Sequence, residues 1–285
     1  MIKFVLDVLR GVVIGVANVI PGVSGGTMMV SMGIYDDIIG SINNLFKKFK
    51  QSILTLLPYG IGMIIGIVGF AFAIEWLFGR FPIPTALLFI GLIFGGIPTI
   101  WKKVKGHADA VSVILFVLFF ALVIGLEILG QRTGVERELS LTFLGIVISA
   151  VVGIIAAATM IIPGVSGSMV MLILGYYNSI IGSVTGLVTA LKELDIKAFF
   201  GGLLVLIPFI LGIFVGIFGV AKLIRFLLDK YESRTYAAIL GLIAASPYPV
   251  YVHSGATNVT AGAVIFAVFT FVIGFIAAFK LGKEK

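Results

Sequence analysis

The chain has 285 residues, of which 60% are hydrophobic and only 12% are charged, and its mean hydropathy is +1.22. Soluble domains contain about a quarter charged residues, so this composition excludes a water-soluble enzyme and a disordered chain. The net charge of +7 fits lysines and arginines in cytoplasmic loops better than a nucleic-acid interface. The chain has no cysteine, which excludes disulfides and thiolate chemistry.

Uncharged runs of membrane-spanning length recur along the chain. A helical span needs about 20 apolar residues. Runs of this length lie at Ile53–Ile74, Phe81–Trp101, Ala198–Ala221 and Ser254–Phe279. The uncharged stretch Leu139–Leu191 must hold two further membrane segments. Because the runs are continuous and do not alternate, they predict an all-α polytopic membrane protein and not a β-barrel.

The sequence contains an internal duplication. Ile20–Ser41 and Ile162–Ser183 share 13 identities in 22 positions at an offset of 142, and both contain the motif PGVSG. Further matches follow downstream at an offset of 150, such as Gly62 with Gly212. Two collinear blocks indicate that the chain is built from two related repeats. Each repeat is predicted to hold one hairpin and three spans: 1–130 with hairpin 4–42 and spans 53–78, 84–103 and 110–130, then 131–285 with hairpin 139–190 and spans 198–228, 235–252 and 258–280.

The segments around the first PGVSG motif look too short to cross a bilayer. The arm between Arg10 and Pro21 has ten residues, about 15 Å as a helix. The second arm, Gly22–Tyr35, has fourteen residues, whereas a hydrocarbon core is about 30 Å thick. We therefore expect a re-entrant hairpin with its tip near mid-membrane. Alternatively, each of the two arms could cross the membrane completely. This would leave every loop on the same side as a hairpin does, so it stays an alternative.

An odd number of crossings per repeat predicts that the second repeat is inverted relative to the first. The two PGVSG tips would then approach each other from opposite membrane faces, as in transporters with broken helices at the substrate site. Charge placement gives the orientation: this topology puts 15 of the 20 lysines and arginines on one side and five on the other. The positive-inside rule makes the first side cytoplasmic, with both termini there.

The two tips have the chemistry of an anion site. A Pro-Gly break at depth leaves backbone N–H groups without partners, which the membrane tolerates only at a cavity or a ligand. Glycines allow close approach, hydroxyls add donors, and a helix N-terminus favours an anion. A tight packing turn is the alternative reading. The predicted phosphate-binding residues are Gly22, Ser24, Gly25, Gly26 and Thr27 in the first tip and Gly164, Ser166, Gly167 and Ser168 in the second.

Two residues near the first tip are candidate supporting groups. Asn18 could donate to a bound anion or cap the broken helix. Arg10, at the end of the first arm, could pair with a phosphate or anchor the helix at the membrane interface.

Four acidic residues are candidates for coupling transport to an ion. Asp36 and Asp37 close the second arm, where they could relay protons or simply lie at the interface. Glu75 and Glu127 lie near the ends of long apolar runs, where they are either solvated or functional. The sequence has no metal, nucleotide or hydrolase motif, so we expect neither a cofactor nor an enzymatic activity.

At these motifs the chain resembles a known family. GVANVIPGVSGGT (Gly15–Thr27), GIYDDI (Gly33–Ile38), IIPGVSGS (Ile161–Ser168) and LGYY (Leu174–Tyr177) resemble the PopT family of bacterial polyprenyl-phosphate translocases. The resemblance covers nearly the whole chain. It implies flipping of undecaprenyl phosphate across the cytoplasmic membrane, which recycles the carrier lipid for cell-wall synthesis. Many members carry an aspartate at the position of Asn18, so a carboxylate role there does not carry over.

The sequence thus predicts a lipid-phosphate transporter that works by alternating access, with the phosphate held at the two tips. A transporter or channel for small anions would use the same tips and is the alternative. The expected partners are a polyprenyl phosphate lipid, the membrane and a coupling proton or sodium ion, and not nucleic acid. The oligomeric state and the direction of net transport do not follow from the sequence.

Overall fold

The computed structural model describes residues 2–19, 23–106, 108–130, 136–255 and 260–283, and the regular elements in those ranges are helices. Six of the described helices are long and apolar enough to cross a membrane, so the chain is a multi-pass membrane protein. In chain order the helices are α1 (Ile2–Val19), α2 (Gly25–Ser31), α3 (Tyr35–Asn43), α4 (Phe49–Arg80), α5 (Pro82–Val104), α6 (Ala110–Gly130), α7 (Phe143–Ile161), α8 (Gly167–Leu174), α9 (Tyr177–Lys192), α10 (Ile196–Ala245), α11 (Pro247–Val252) and α12 (Ala261–Lys283).

The break that separates α4 from α5 has a counterpart inside α10. Phe81, between α4 and α5, has φ −136° and ψ 59°, and Tyr231, 150 residues later, has φ −136° and ψ 48°. The Thr85 hydroxyl donates to the Phe81 carbonyl at 2.7 Å, and the Thr235 hydroxyl donates to the Tyr231 carbonyl at 2.9 Å. The same kink with the same side-chain bond thus occurs at the sequence offset of the duplication.

Contacts between residues divide the chain into two compact units. The first unit comprises Met1–Gly125, Ile162–Ser166 and Ala221–Lys285, and the second comprises Leu126–Ile161 and Gly167–Val220. These units are defined by packing and not by the internal repeat, so the two-repeat division stays a prediction from the sequence.

In the first unit, α1 and α4 cross with their backbones in contact. A Cβ atom added at Gly62 would collide with the Val8 carbonyl, and one added at Gly66 would collide with the Val12 carbonyl. Only glycine allows this approach. Glycine at these positions therefore brings the two helices close enough for extensive van der Waals packing, which is a main source of helix association in lipid.

The second unit repeats that crossing between α7 and the first part of α10. A Cβ atom at Gly212 would collide with the Ala150 carbonyl, and one at Gly216 would lie 2.8 Å from the Ile154 carbonyl oxygen. Each pair is offset from its counterpart by 150 residues in one helix and 142 in the other. A cluster of buried residues packs beside this crossing. Its members are Val152, Ala156, Tyr176, Ile180 and Phe209.

The short helices of the first unit pack against α5. A Cβ atom at Gly96 would collide with Ser31 at the end of α2, and one at Gly91 would collide with the Phe271 carbonyl of α12. The glycines of α5 therefore allow α2 to pack closely on one side of α5 and α12 on another. This packing buries Ser31 completely and fixes the position of α2.

Each PGVSG motif is followed by a short helix and a sharp turn at a glycine. The helix α2 has seven residues and α8 has eight, so each is only about 10–12 Å long. They end near Gly33, with φ 68°, and Gly175, with φ 81°, a left-handed conformation that favours glycine. The helices α8 and α9 are bent by 108° at this turn.

The arm before the first motif is longer than the sequence predicted. The arm-length argument counted only the residues after Arg10, although the predicted hairpin spans 4–42; α1 begins at Ile2 and runs through Arg10 for 18 residues, about 27 Å. The prediction was wrong because it treated a charged residue as a helix boundary. Arg10 is instead accommodated inside the fold by bonds described below. The helix α7 is also long enough to span a membrane, so the short helices next to the two motifs are the ones that follow them, α2 and α8.

A polar contact holds the start of α6 in the first unit. Asp109 accepts hydrogen bonds from the backbone N–H and the hydroxyl of Ser112 at 2.8 and 2.7 Å, and from Arg234 at 2.6 Å. The Ser112 bonds, followed by Arg234, hold the pKa of the Asp109 carboxyl well below its usual range. The carboxylate stays charged at neutral pH and caps the helix.

Candidate functional site

The first break is capped by a residue of the preceding helix. The Asn18 side-chain oxygen accepts a hydrogen bond from the Gly25 backbone N–H at 3.2 Å. Asn18 thereby satisfies one of the N–H groups that the start of α2 leaves open. In this structure Asn18 has the capping geometry that was one of its two sequence interpretations. Gly22, at the apex of the break, lies outside the described residues.

Ser24 lies at the same break with its hydroxyl unused. It occupies the cap position of α2 with an extended backbone and makes no capping bond. Its side chain is 6% exposed, and its Oγ atom has no hydrogen-bond partner within the described part of the chain. A buried hydroxyl without a partner is unfavourable in an apolar interior. It is therefore the type of group that a polar ligand would satisfy.

The two PGVSG motifs meet within the first unit. The Gly164 backbone N–H donates to the Thr27 hydroxyl at 2.7 Å, across 137 residues of sequence. Gly164 has φ 79°, and a Cβ atom there would lie 2.6 Å from the Leu242 carbonyl oxygen, so this position requires glycine. The sequence predicted that the tips would lie together, and this bond joins Thr27 of the first tip to Gly164 of the second.

The remaining tip residues differ in their surroundings. Gly25, Gly26 and Ser166 are buried in the first unit, as is Thr27. Gly167 and Ser168 begin α8 in the second unit and are half-buried. A Cβ atom at Gly167 would lie 3.1 Å from the Thr159 hydroxyl. That hydroxyl donates to the Ala156 carbonyl of its own helix at 2.7 Å.

Arg10 is buried in a polar cluster of the first unit. It is 3% exposed, and its Nη1 atom lies 2.9 Å from Asp7 Oδ1, while its Nη2 atom donates to the Leu281 carbonyl at 2.9 Å. The Tyr59 hydroxyl donates to the same Asp7 oxygen at 3.0 Å. Arg10 therefore makes its contacts within the protein, and its two interpretations from the sequence, as a phosphate partner and as an interfacial anchor, stay predictions.

Asp36 and Asp37 have different environments. The Tyr236 hydroxyl donates to Asp36 Oδ2 at 2.6 Å, and Asp36 Oδ1 is buried without a partner from the residues described. Asp36 lines a small cavity of about 50 Å³ together with Thr99 and Lys103. Both aspartates also line a larger pocket of about 370 Å³, where Asp37 is exposed.

Glu75 and Glu127 also differ in their exposure. Glu75 is exposed on α4, and both of its interpretations, as a solvated residue and as a coupling residue, stay open. Glu127 of α6 is completely buried, which in a membrane protein keeps it a candidate for a functional role.

Sequence reasoning missed three residues of these clusters: Asp7, Tyr59 and Tyr236. Asp7 could have been found, because it precedes Arg10 by three residues and so shares its helix face. The two tyrosines bond to aspartates that lie 52 and 200 residues away in the sequence, and no local sequence pattern predicts these contacts. Within the described ranges no group of three or more histidine or acidic side chains could hold a metal ion.

Comparison with known families decides the relationship. Residues 14–265 match the family described as undecaprenyl phosphate translocase-like. The chain belongs to this family. The match to the undecaprenyl phosphate translocase-like family includes both PGVSG motifs and the helices between them, in agreement with the resemblance seen in the sequence.

Two curated relatives of this translocase-like chain have the same name. A polyprenyl-phosphate transporter of Staphylococcus aureus is 29% identical over 283 residues, which covers 98% of this chain and 96% of the relative. A polyprenyl-phosphate transporter of Vibrio cholerae is 29% identical over 252 residues, or 82% of this chain and 73% of the relative. No solved structure matches the chain.

Proposed function

We propose that this protein transports polyprenyl phosphate, with undecaprenyl phosphate as its natural substrate, across the bacterial cytoplasmic membrane. Family membership and the names of both relatives support the substrate class. The role is to return the carrier lipid for cell-wall synthesis, and the protein acts as a transporter and not as an enzyme.

The phosphate binds at the two tips in this proposal. The observation that carries it is the bond between Thr27 and Gly164, because it joins the two motifs at a buried place where the Ser24 hydroxyl has no partner among the described residues. Phosphate oxygens are strong acceptors and would satisfy such a donor. The proposed phosphate site consists of Gly22, Ser24, Gly25, Gly26, Thr27, Gly164, Ser166, Gly167 and Ser168, with Asn18 holding the first break in shape.

The prenyl tail stays in the bilayer while the phosphate crosses. The outer face of α4 offers apolar side chains to lipid, among them Leu54, which is 62% exposed, and Ile64, which is 65% exposed. A chain of isoprene units would lie along such a surface at no cost in apolar exposure. Alternating access then requires only that the tips open in turn toward each membrane face.

Transport of labelled polyprenyl phosphate between the leaflets of protein-containing liposomes tests this function. We expect movement well above that in empty liposomes, and only weak inhibition by an excess of soluble inorganic phosphate, because the site also requires the tail. Strong inhibition by soluble phosphate, together with phosphate flux into the liposomes, would instead indicate a small-anion transporter.

The proposed mechanism also includes inverted repeats with re-entrant hairpins and both termini in the cytoplasm. The short α2 and α8 and the 108° bend after α8 support the hairpins. The chain contains no cysteine, so single cysteines report topology without background. We expect Asn44→Cys to react with an impermeant thiol reagent only from the cytoplasmic side and Glu193→Cys only from the outside. Labelling of both from one side would contradict the inversion.

A further inference from the structure

The buried guanidinium of Arg10 is held less firmly than its burial suggests. Its ion pair with Asp7 uses one nitrogen and one oxygen, and not the two parallel bonds of a fork. A second nitrogen donates to the Leu281 carbonyl, and the Nε atom has no partner from the described residues. A buried cation with a spare donor and a single carboxylate contact can accept another anion.

Asp7 has a second donor that can keep it in place without Arg10. The Tyr59 hydroxyl bonds to the same Asp7 oxygen at 3.0 Å. If Asp7 left Arg10, this phenol would still satisfy one of its lone pairs. The structure shows Asp7 on both partners, and the phenol makes a second arrangement, with Asp7 on Tyr59 alone, chemically accessible.

A pocket reaches Asp7 and Tyr59 of this cluster, and Arg10 is not part of its lining. Asp7 and Tyr59 line a pocket of about 540 Å³ between the first turns of α1 and α4, and Lys3, Lys50 and Leu54 lie on its wall. The two lysines attract an anion, and Asp37, which also lines the pocket, offsets part of their charge. Leu54 is 62% exposed, so an apolar chain can continue into lipid. The pocket thus fits a phosphate with a hydrocarbon tail.

We propose that the phosphate of polyprenyl phosphate exchanges with Asp7 for Arg10, so that Asp7 is a built-in competitor that limits how tightly this pocket holds the substrate. Arg10 lies eight residues before Asn18 on α1, or about 12 Å along the helix axis. Arg10 therefore forms a binding site separate from the tips, which the phosphate occupies before it reaches them. This inference rests on the proposed transport of polyprenyl phosphate.

The competition predicts opposite effects of changing the two members of one ion pair. Asp7→Asn keeps an oxygen that can accept from Tyr59 but removes the competing charge. A like charge within about 4–6 Å disfavours an anion by a factor of ten or more, so this variant should bind substrate about tenfold more tightly. Arg10→Lys keeps the charge but loses the planar donors and should bind several-fold more weakly. A purely structural pair would give weaker binding in both variants.

The experiment measures the affinity of the purified full chain in detergent for farnesyl phosphate, a short polyprenyl monophosphate, with inorganic phosphate as a competitor. Glu193→Gln is the control, because Glu193 is an exposed carboxylate that does not line this pocket; we expect a change within about twofold. Unchanged or weaker binding by folded Asp7→Asn would overturn the proposal. Wild-type protein that does not bind farnesyl phosphate would instead contradict the transport function itself.

Tyr59→Phe gives an independent readout if Asp7→Asn does not fold. Removing the phenol leaves Asp7 with Arg10 as its single donor in this cluster, which strengthens the competitor. We expect several-fold weaker binding of farnesyl phosphate. Unchanged or tighter binding by this variant would overturn the exchange.

Discussion

Thr27→Val should reduce transport of polyprenyl phosphate by tenfold or more while the protein still folds. Valine has nearly the shape of threonine but no hydroxyl, so the Gly164 N–H loses its acceptor in a buried site. An unsatisfied buried donor costs about 1–3 kcal/mol, and about 1.4 kcal/mol corresponds to a factor of ten. The two motifs would then separate or recruit water, and the site that they form together would lose its geometry.

A matched threonine distinguishes this effect from a general consequence of the substitution. The Thr189 hydroxyl donates to the Thr185 carbonyl of its own helix, α9, and is exposed. Thr189→Val should leave transport within about twofold of wild type, because the carbonyl it releases already has a helical partner. Equal transport by Thr27→Val and Thr189→Val, at equal amounts of folded protein, would contradict a role for the contact between the motifs.

Gly62→Ala should destabilise the protein by about 2 kcal/mol or more, because the added methyl group collides with the Val8 carbonyl. Gly69 lies on the same helix, is exposed, and has open space around it as far as the structure is described. Gly69→Ala should therefore be neutral or stabilising by roughly 0.5–1 kcal/mol, since alanine favours helix. Thermal unfolding in detergent measures both variants.

The duplication supplies a second copy of the same comparison. Gly212→Ala should be destabilising because of the Ala150 carbonyl, whereas Gly219, which is exposed with open space around it in the described structure, should tolerate alanine. If the buried and exposed glycines responded alike in either pair, the close helix crossings would not be a principal source of stability.

The sequence predicted features that depend on local pattern or on self-similarity. The Pro-Gly breaks, the long apolar helices and the recurrence of motifs at offsets of 142 and 150 can be read directly. The recurrence extends to atomic detail in the structure, since Phe81 and Tyr231 carry the same kink. Duplicated sequence that folds by the same local physics produces the same local geometry.

Features that depend on distant partners could not be predicted. Arg10 looked like a helix boundary because a lone charge in an apolar segment usually marks an interface. Its charge is instead satisfied by Asp7 nearby and by the Leu281 carbonyl 271 residues away. The second of these partners is specified by how the helices pack, and no local sequence pattern encodes it.

The phosphate site at the tips is tested most directly by leaflet-to-leaflet movement of labelled polyprenyl phosphate in liposomes containing the Ser24→Ala/Ser166→Ala double variant. Ser246→Ala is the control, because Ser246 is also buried and its hydroxyl donates within its own part of the fold, to the Leu242 carbonyl at 3.0 Å. Our account predicts transport near wild type for Ser246→Ala and at least about a tenfold loss for the double variant, since hydrogen bonds to charged groups contribute about 1.5–3 kcal/mol. Wild-type transport by a folded double variant would contradict the placement of the phosphate at the two tips.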